Sequence, residues 1–294
     1  MRRTIIKSEL NSAEFKKNFE KKVKDTIKKY KLFKKKEKIV VAVSGGKDST
    51  VLLYLLNKFG YNIEAITVNA LIGKYTDKNL ENIKKFCNDL GVKLHVVSFR
   101  DEVGSSMCYL KSVLNSKGFK IKSCSVCGIL RRYLINKKSR ELKAKKIATG
   151  HNMDDEAQSF IMNLFRKNIE VNSRLGPITG LVRDKRFIPR TKPLFFCTEK
   201  EVKKYSQLMS FDVDYGRCPC CYDSYRNKVR ELLNKYELKD DKIKEKIISS
   251  FLTLLPKFKE YYKTKEKPNF CIECSEPSKQ EICKACQILD LVRK

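Results

Sequence analysis

The chain has no tryptophan and only two histidines among its 294 residues, against twelve cysteines. It also has no long apolar run; Val51–Leu56 is typical of the longest. A membrane-spanning helix needs roughly 18 such residues in a row, so no spanning segment and no membrane partner are expected. The opening residues, Met1-Arg2-Arg3-Thr4-Ile5-Ile6-Lys7, lack the apolar stretch of a secretory signal. These absences point to a cytoplasmic protein whose thiols stay reduced. Twelve cysteines in that setting read as metal or catalytic ligands rather than bridges. The length is ample for a core without disulfides. Acidic residues are the other shortage, with 34 Asp+Glu against 64 Lys+Arg and a net charge of +30. Such an excess favours a polyanionic partner through phosphate neutralisation and counterion release. Internal repeats and low-complexity tracts are absent apart from the abundance of lysine.

The length suggests about two domains at roughly 150 residues each. Residues 1–36 contain no Cys, His or Gly and carry 14 Lys/Arg against 4 Asp/Glu. Phe15, Phe19, Val23, Ile27, Tyr30 and Phe33 recur at helical spacing, which predicts a basic amphipathic helix. Strands are expected at Lys38–Val43, Asn62–Val68, Val92–Phe99 and Lys145–Thr149. Helices are expected at Ser49–Phe59, Lys74–Leu90, Val126–Leu142 and Asp154–Phe165. Strand–helix alternation of this kind builds a mostly parallel α/β sheet with helices on both faces, and ligands bind at the carboxyl ends of its strands. Farther along, helices are expected at Glu199–Met209, Tyr225–Lys244 and near Ile247–Tyr261. A charged linker follows at Lys263–Pro268, and a small terminal segment holds four cysteines. The expected division is therefore 1–36, a core at 37–235, a helical linker region at 236–265 and a terminal unit at 266–294.

Ser44-Gly45-Gly46-Lys47-Asp48-Ser49 follows a buried strand and opens a helix. Glycines there let the backbone approach phosphate oxygens, and a helix N-terminus offers free N–H groups with the positive end of the dipole. Lys47 adds charge, while Ser44 and Ser49 add hydroxyl donors. The spacing of a Walker A loop is absent. Val43–Thr50 resembles the PP-loop of ATP pyrophosphatases, which carry Ser-Gly-Gly-x-Asp-Ser. The resemblance implies an adenine-nucleotide-binding core that activates its substrate by adenylation with ATP. It implies Mg²⁺ on the phosphates, with Asp48 as a contributor.

Cys124-Ser125-Val126-Cys127 opens a predicted helix, and Cys218-Pro219-Cys220-Cys221 lies far downstream. Spacing alone leaves two readings, a redox dithiol or a metal site completed by a distant cysteine. Two ligands plus one would leave a coordination position open, which suits a reactive iron–sulfur cluster better than structural zinc. The context supplies more. Cys124–Tyr133, then Gly150-His151-Asn152-Met153-Asp154-Asp155-Glu156, then Arg190-x-Lys192-Pro193-Leu194, then Cys218-Pro219 resemble tRNA 2-thiolation enzymes of the TtcA/TtuA/Ncs type over most of residues 37–235.

The resemblance implies a [4Fe–4S] cluster on Cys124, Cys127 and Cys218, with one iron left free to carry sulfur. Cys220 is the other candidate for the third ligand. It implies a catalytic Asp155 and a basic role for Arg131, where the family often has lysine. Gly150 and His151 stand at the end of a predicted strand, where sites form, which points to a nucleotide-binding or orienting role. The details look most like the TtuA branch, which acts on the T-loop uridine 54. The Ncs branch acts on uridine 34 and TtcA on cytidine 32. The partners implied are tRNA and a sulfur donor, either a ubiquitin-like carrier or sulfide, with a homodimer as a further expectation. Where these thiolases often begin with a zinc finger, residues 1–36 hold no ligand for one, and the basic helix is the expected substitute.

Cys271-x-x-Cys274 and Cys283-x-x-Cys286 form two short knuckles, the spacing of a closed tetrahedral Zn²⁺ site. Cys87, Cys108 and Cys197 have no partner spacing. His95 alternates within an apolar strand and reads as packed. The basic-aromatic stretch Lys257–Lys265 could stack on RNA or be a solvated helix end. The functional expectation is ATP-dependent 2-thiolation of a tRNA uridine. Competing readings are a cluster-free adenylating ligase of lysidine-synthetase type and a non-catalytic zinc-bearing RNA-binding protein.

Overall fold

The computed structural model describes residues 2–180, 186–216, 218–221, 224–263 and 269–293, and for 2–10 the backbone only. Helix α1 (Arg2–Lys29) leads into β1 (Ile39–Ala42), α2 (Lys47–Lys58), β2 (Ile63–Asn69), α3 (Gly73–Asp89) and β3 (Leu94–Ser98). Next come α4 (Phe99–Val103), α5 (Met107–Ser116), α6 (Ser123–Glu141), β4 (Lys146–Thr149), α7 (Met153–Phe165) and α8 (Ile169–Asn172). The remainder is β5 (Arg190–Thr191), α9 (Glu199–Leu208), α10 (Tyr225–Glu237), α11 (Ile243–Tyr261) and α12 (Lys284–Arg293), with a 3-10 turn at Pro219–Cys221. None of the described helices is long and apolar enough to cross a membrane.

The strands form one sheet in the order β3-β2-β1-β4-β5, and every neighbouring pair is parallel. The order in which the strands are connected reverses between β1 and β4. That switch point opens a crevice at the carboxyl ends of the two strands. Ile39 and Val41 feed one core layer with Leu52, Leu53 and Leu56 of α2, while Val40 feeds the other with Ile66, Leu130 and Leu134. The β-branched run at β1 is fully buried, as expected of a strand covered on both faces.

The helix expected at 1–36 is present. Phe19, Val23 and Ile27 are buried in the first core layer with Val202 and Tyr205 of α9. Burial of one such side chain stabilises by about 1.5–3 kcal/mol, so α1 is docked by its apolar stripe. Tyr205 donates from its hydroxyl to Glu20 at 2.7 Å, and Lys22 pairs with Glu201 at 2.6 Å. Lys17, Lys21, Lys24 and Lys28 face outward.

Some boundaries differ from the sequence expectation. The helix expected over Tyr225–Lys244 is two helices, α10 and α11, separated by a turn at residues 238–242. There Lys239 and Asp240 bond back to Tyr236, and Asp240 caps Lys242. The helix expected near Ile247 starts earlier, at Ile243. Ile248, Phe251 and Leu255 of α11 pack with Met153, Ala157 and Phe160 of α7. Most of the expected linker at Lys263–Pro268, and Lys265 of the basic-aromatic stretch, lie outside the described residues. The four-cysteine segment docks on α6. Ala285, Ile288 and Leu289 of α12 join Leu130 and Leu134. Asn136 donates to Glu276 at 2.6 Å, and Arg140 also pairs with Glu276.

Candidate functional site

The loop after β1 is folded by its own hydroxyls. Ser49 Oγ accepts from the Ser44 amide at 3.1 Å and donates to the Gly46 carbonyl at 3.0 Å. Gly45 has φ +85, and a Cβ there would lie 2.5 Å from Asn79 Oδ1, so both the backbone and the space demand glycine. The N-terminus of α2 has no side-chain cap, which leaves its first amides for an incoming anion.

The loop after β4 closes on the same point. A Cβ on Gly150 would lie 2.8 Å from the backbone of Asp48 and Ser49. Gly150 therefore lets β4's exit pass directly over the first turn of α2. Asn152, the N-cap of α7, accepts from the Asp155 amide and donates to Asp48 Oδ1 at 2.9 Å. That bond ties the phosphate loop to the Gly-His-Asn-x-Asp-Asp motif across the switch point.

The two adjacent aspartates of that motif have different surroundings. Asp154 is buried, 2.5 Å from Lys244, and accepts from the Glu199 amide at 2.7 Å. It holds α7, α9 and α11 together. Asp155 faces the crevice, with the Arg226 guanidinium 3.8 Å away. Burial raises the Asp155 pKa against the opposing pull of Arg226. Burial likewise raises Asp48, with Lys47 opposing and the Asp155 charge adding to the rise. Two recessed carboxylates that repel one another would be relieved by a cation between them and the phosphates. Lys47 bridges Asp48 at 3.1 Å and Glu199 at 3.0 Å. Burial would lower its ammonium pKa, but the two carboxylates reverse that and raise it.

His151 lies in an open cleft with protein dense around it. Desolvation, then the charges of Lys192, Arg226 and Arg190, lower its pKa to about 4, so the ring is neutral at physiological pH. Its Nδ1 is 2.9 Å from Thr149 Oγ1. Lys192 is itself buried in a 2.7 Å pair with Glu156. Arg190 is lowered to about 10, first by burial and then by Arg132.

A cavity of about 270 Å³ runs from Ser44, past Thr67–Asn69 at the end of β2, to Cys124, Cys127, Arg131, Cys218 and Cys220. Asn79, Tyr75 and Ile83 of α3 form its wall. Arg131 Nε donates to Cys127 Sγ at 3.2 Å, and Cys124 Sγ donates to the Cys220 carbonyl at 3.4 Å. Burial raises the Cys124 pKa, and charge on Cys221, Cys218 and Cys127 raises it further. Thiols that destabilise each other's ionised forms suit a shared cationic centre, so this donor set fits a thiolate-bound cluster.

The C-terminal set is tighter. The ligand atoms of Cys271, Cys274, Cys283 and Cys286 all lie within 4.8 Å of one another, three of the four residues being buried. The Cys283 amide donates to Cys271 Sγ at 3.2 Å, and the Cys286 amide to Cys283 Sγ at 3.5 Å. Amide-to-sulfur bonds of this kind favour thiolates. The Cys271 pKa is lowered to about 7 by such bonds in spite of burial, whereas burial pushes Cys286 up. Four converging thiols fit one tetrahedral ion.

Chain-wide comparison agrees with this geometry. Residues 15–236 match the family model of the PP-loop domain. The tRNA-5-methyluridine(54) 2-sulfurtransferase of Pyrococcus horikoshii is 36% identical over 95% of this chain and 87% of its own length. This chain belongs to the PP-loop family of tRNA 2-thiolation enzymes. The tRNA 2-thiolation protein NcsA of Haloferax volcanii is 30% identical over 86% of this chain and 82% of its own. Among solved structures, the U34-tRNA thiolase NcsA of Methanococcus maripaludis with its [4Fe–4S] cluster has a TM-score of 0.80 at 29% identity. That match covers 94% of this chain and 88% of that one. In this PP-loop enzyme, the loop implies ATP.

The structure brings together Ser44, Gly45, Gly46, Lys47, Asp48, Ser49, Gly150 and Asp155 at the crevice, with His151 beside them. It gathers Cys124, Cys127, Arg131 and Cys218 at the far end of the cavity. Cys87 and Cys197 are buried core thiols. His95 is packed against Glu64 at 2.7 Å. Sequence reasoning missed Asn79 behind Gly45, Glu199 on Lys47 and Arg226 beside Asp155. Each approaches from an element remote in sequence, and no local spacing marks it.

Proposed function

We propose that this chain adenylates the 2-oxygen of the T-loop uridine 54 in tRNA and replaces it with sulfur. Family membership carries the general activity: the chain is an ATP-dependent tRNA 2-thiolation enzyme. Uridine 54 is favoured because the Pyrococcus horikoshii relative with that printed specificity is 36% identical over nearly the whole chain. The observation that carries the reading is the single cavity joining the phosphate loop to the mid-chain cysteines. Activation and sulfur transfer can then use one bound base without releasing it.

Ser44–Ser49 and the free amides of α2 bind the phosphates, and Lys47 neutralises the departing pyrophosphate. Asp48 and Asp155 would hold Mg²⁺, which would neutralise charge on the phosphates. The uracil 2-oxygen attacks the α-phosphorus, pyrophosphate leaves, and C2 becomes electrophilic. Cys124, Cys127 and Cys218 would hold a [4Fe–4S] cluster, which would supply sulfur to C2 as AMP departs. Cys218 is preferred as third ligand because it precedes Pro219, and Arg131 stabilises charge on the neighbouring Cys127 sulfur. The uridine must leave its stack to enter the cavity. The sulfur donor is a ubiquitin-like carrier or sulfide. Zn²⁺ on Cys271, Cys274, Cys283 and Cys286 is structural, the outward lysines of α1 track the tRNA backbone, and the protein works in the cytoplasm. The four-part division at 36, 235 and 265 describes these roles.

Site-mapped mass spectrometry of nucleosides tests the reading, using tRNA incubated with ATP, sulfide and anaerobically reconstituted protein. 2-Thiouridine at position 54 that disappears with Asp155→Asn supports it. Thiolation only at position 34 or 32, or none with a loaded cluster, overturns the assignment.

A further inference from the structure

Three cluster ligands leave thiols over at this cavity. Six cysteines gather around it. Cys124, Cys127, Cys218 and Cys220 line it directly, Cys108 follows the lining residue Met107, and Cys221 closes the 3-10 turn. Cys220 differs from the last two, because it lines the cavity together with all three expected ligands. Its main-chain oxygen lies 3.4 Å from the Cys124 sulfur, which sets the turn beside the N-terminus of α6. The turn is held by the Cys221 amide on the Cys218 carbonyl at 3.1 Å, and Asn227 Nδ2 donates to the Cys221 carbonyl at 2.9 Å. Cys218 and Cys220 are therefore presented to one volume by one short, braced turn.

We propose that Cys220 is a displaceable fourth ligand: it covers the iron that Cys124, Cys127 and Cys218 leave open and yields it to incoming sulfide. This rests on the cluster reading above. Ligand exchange is balanced without a redox partner. The iron–sulfur bond to Cys220 breaks as a bond to hydrosulfide forms, and the released thiolate takes a proton from solvent. A protein thiolate at that corner protects the cluster from oxidative loss of iron between turnovers. It also makes sulfur loading compete with an internal ligand whose effective concentration is high. Cys220 is thus a gate on the sulfur site, separate from the three permanent ligands.

The test uses full-length protein reconstituted anaerobically and titrated with ferricyanide, with the [3Fe–4S] signal read by EPR. An iron without a protein thiolate is lost readily on oxidation, whereas a fully ligated cluster keeps it. Wild type is expected to hold four irons and to give several-fold less [3Fe–4S] signal than Cys220→Ala. Adding sodium sulfide before oxidation is expected to change the wild-type Mössbauer spectrum at one iron site. Equal [3Fe–4S] yields in wild type and Cys220→Ala overturn the proposal. So does loss of all iron from Cys220→Ala with retention in Cys218→Ala, which makes Cys220 the permanent third ligand. If wild type takes up no iron under conditions that load zinc, the cluster reading itself fails, and this result is distinct from both others.

Discussion

The two cysteine sets occupy opposite ends of the same helix and are built differently. At the C-terminal half of α6, four thiols converge within 4.8 Å, mostly buried, with backbone amides aimed at their sulfurs. At its N-terminus, Cys124 is exposed, Cys127 and Cys218 are half-buried, and all three open on a cavity that reaches the phosphate loop. A structural ion is best served by a closed shell, and a reactive centre needs a free side and a path to substrate. Cysteine count and spacing indicate a metal, while burial and access indicate what that metal is for.

The strongest way to break this contrast is Cys127→Ala. It is expected to abolish thiolation and visible absorption while leaving zinc content and thermal unfolding near wild type, read by metal analysis and calorimetry. A large fall in Tm would mean that the cavity set is also structural. The converse is Cys283→Ala. Structural zinc in small peptides contributes about 10–16 kcal/mol of apparent binding energy, so zinc should be lost and the terminal segment should become protease-sensitive. The iron content of the loaded enzyme should fall much less.

Gly150→Ala sharpens the link between crevice and cavity. The added methyl would meet the Asp48 and Ser49 backbone at 2.8 Å, and the loop must shift. Loss of one preorganised electrostatic contact typically costs about 10²–10³-fold in rate, so tRNA-dependent pyrophosphate release is expected to fall on that order with both metals retained. The smallest effect concerns pH. His151 has a folded pKa of about 4, below its ordinary value, so between about 6.5 and 4 the unfolded chain binds the proton that the folded chain refuses. Stability from this group is therefore present above that window and is lost as pH falls through it. His151→Gln is expected to flatten the pH dependence of urea unfolding there, and an unchanged slope would refute the neutral-ring assignment.

Much of this was legible in the chain itself. Ser44–Ser49 stands between a β-branched run and a leucine-rich helix, and that local order announces a phosphate loop wherever the sheet places it. The paired knuckles at 271–286 announce their geometry by spacing alone. What stayed hidden depends on long-range approach. Nothing around Gly150 says that β4's exit must cross α2, and nothing in Asp154-Asp155 says that one carboxylate meets Lys244 while the other faces the crevice. Helix α5 was missed although Ser106 caps its first turn and Gly118 follows its end, because Met107–Ser116 is short and was not weighed as an element. Strand β5 was missed because two residues, Arg190 and Thr191, show no period. Cys108 has no partner by spacing, yet its helix begins at the cavity wall.

The docking of residues 269–293 on α6 has a consequence for how the protein is made. Synthesis runs from the N-terminus, so α6 leaves the ribosome long before the knuckles that cover it. Until then Leu130 and Leu134 lack the apolar cover that Ala285, Ile288 and Leu289 later provide. The helix that presents Cys124 and Cys127 is thus fully covered only once residues 269–293 have been made, and folding of the knuckles becomes a checkpoint on that helix.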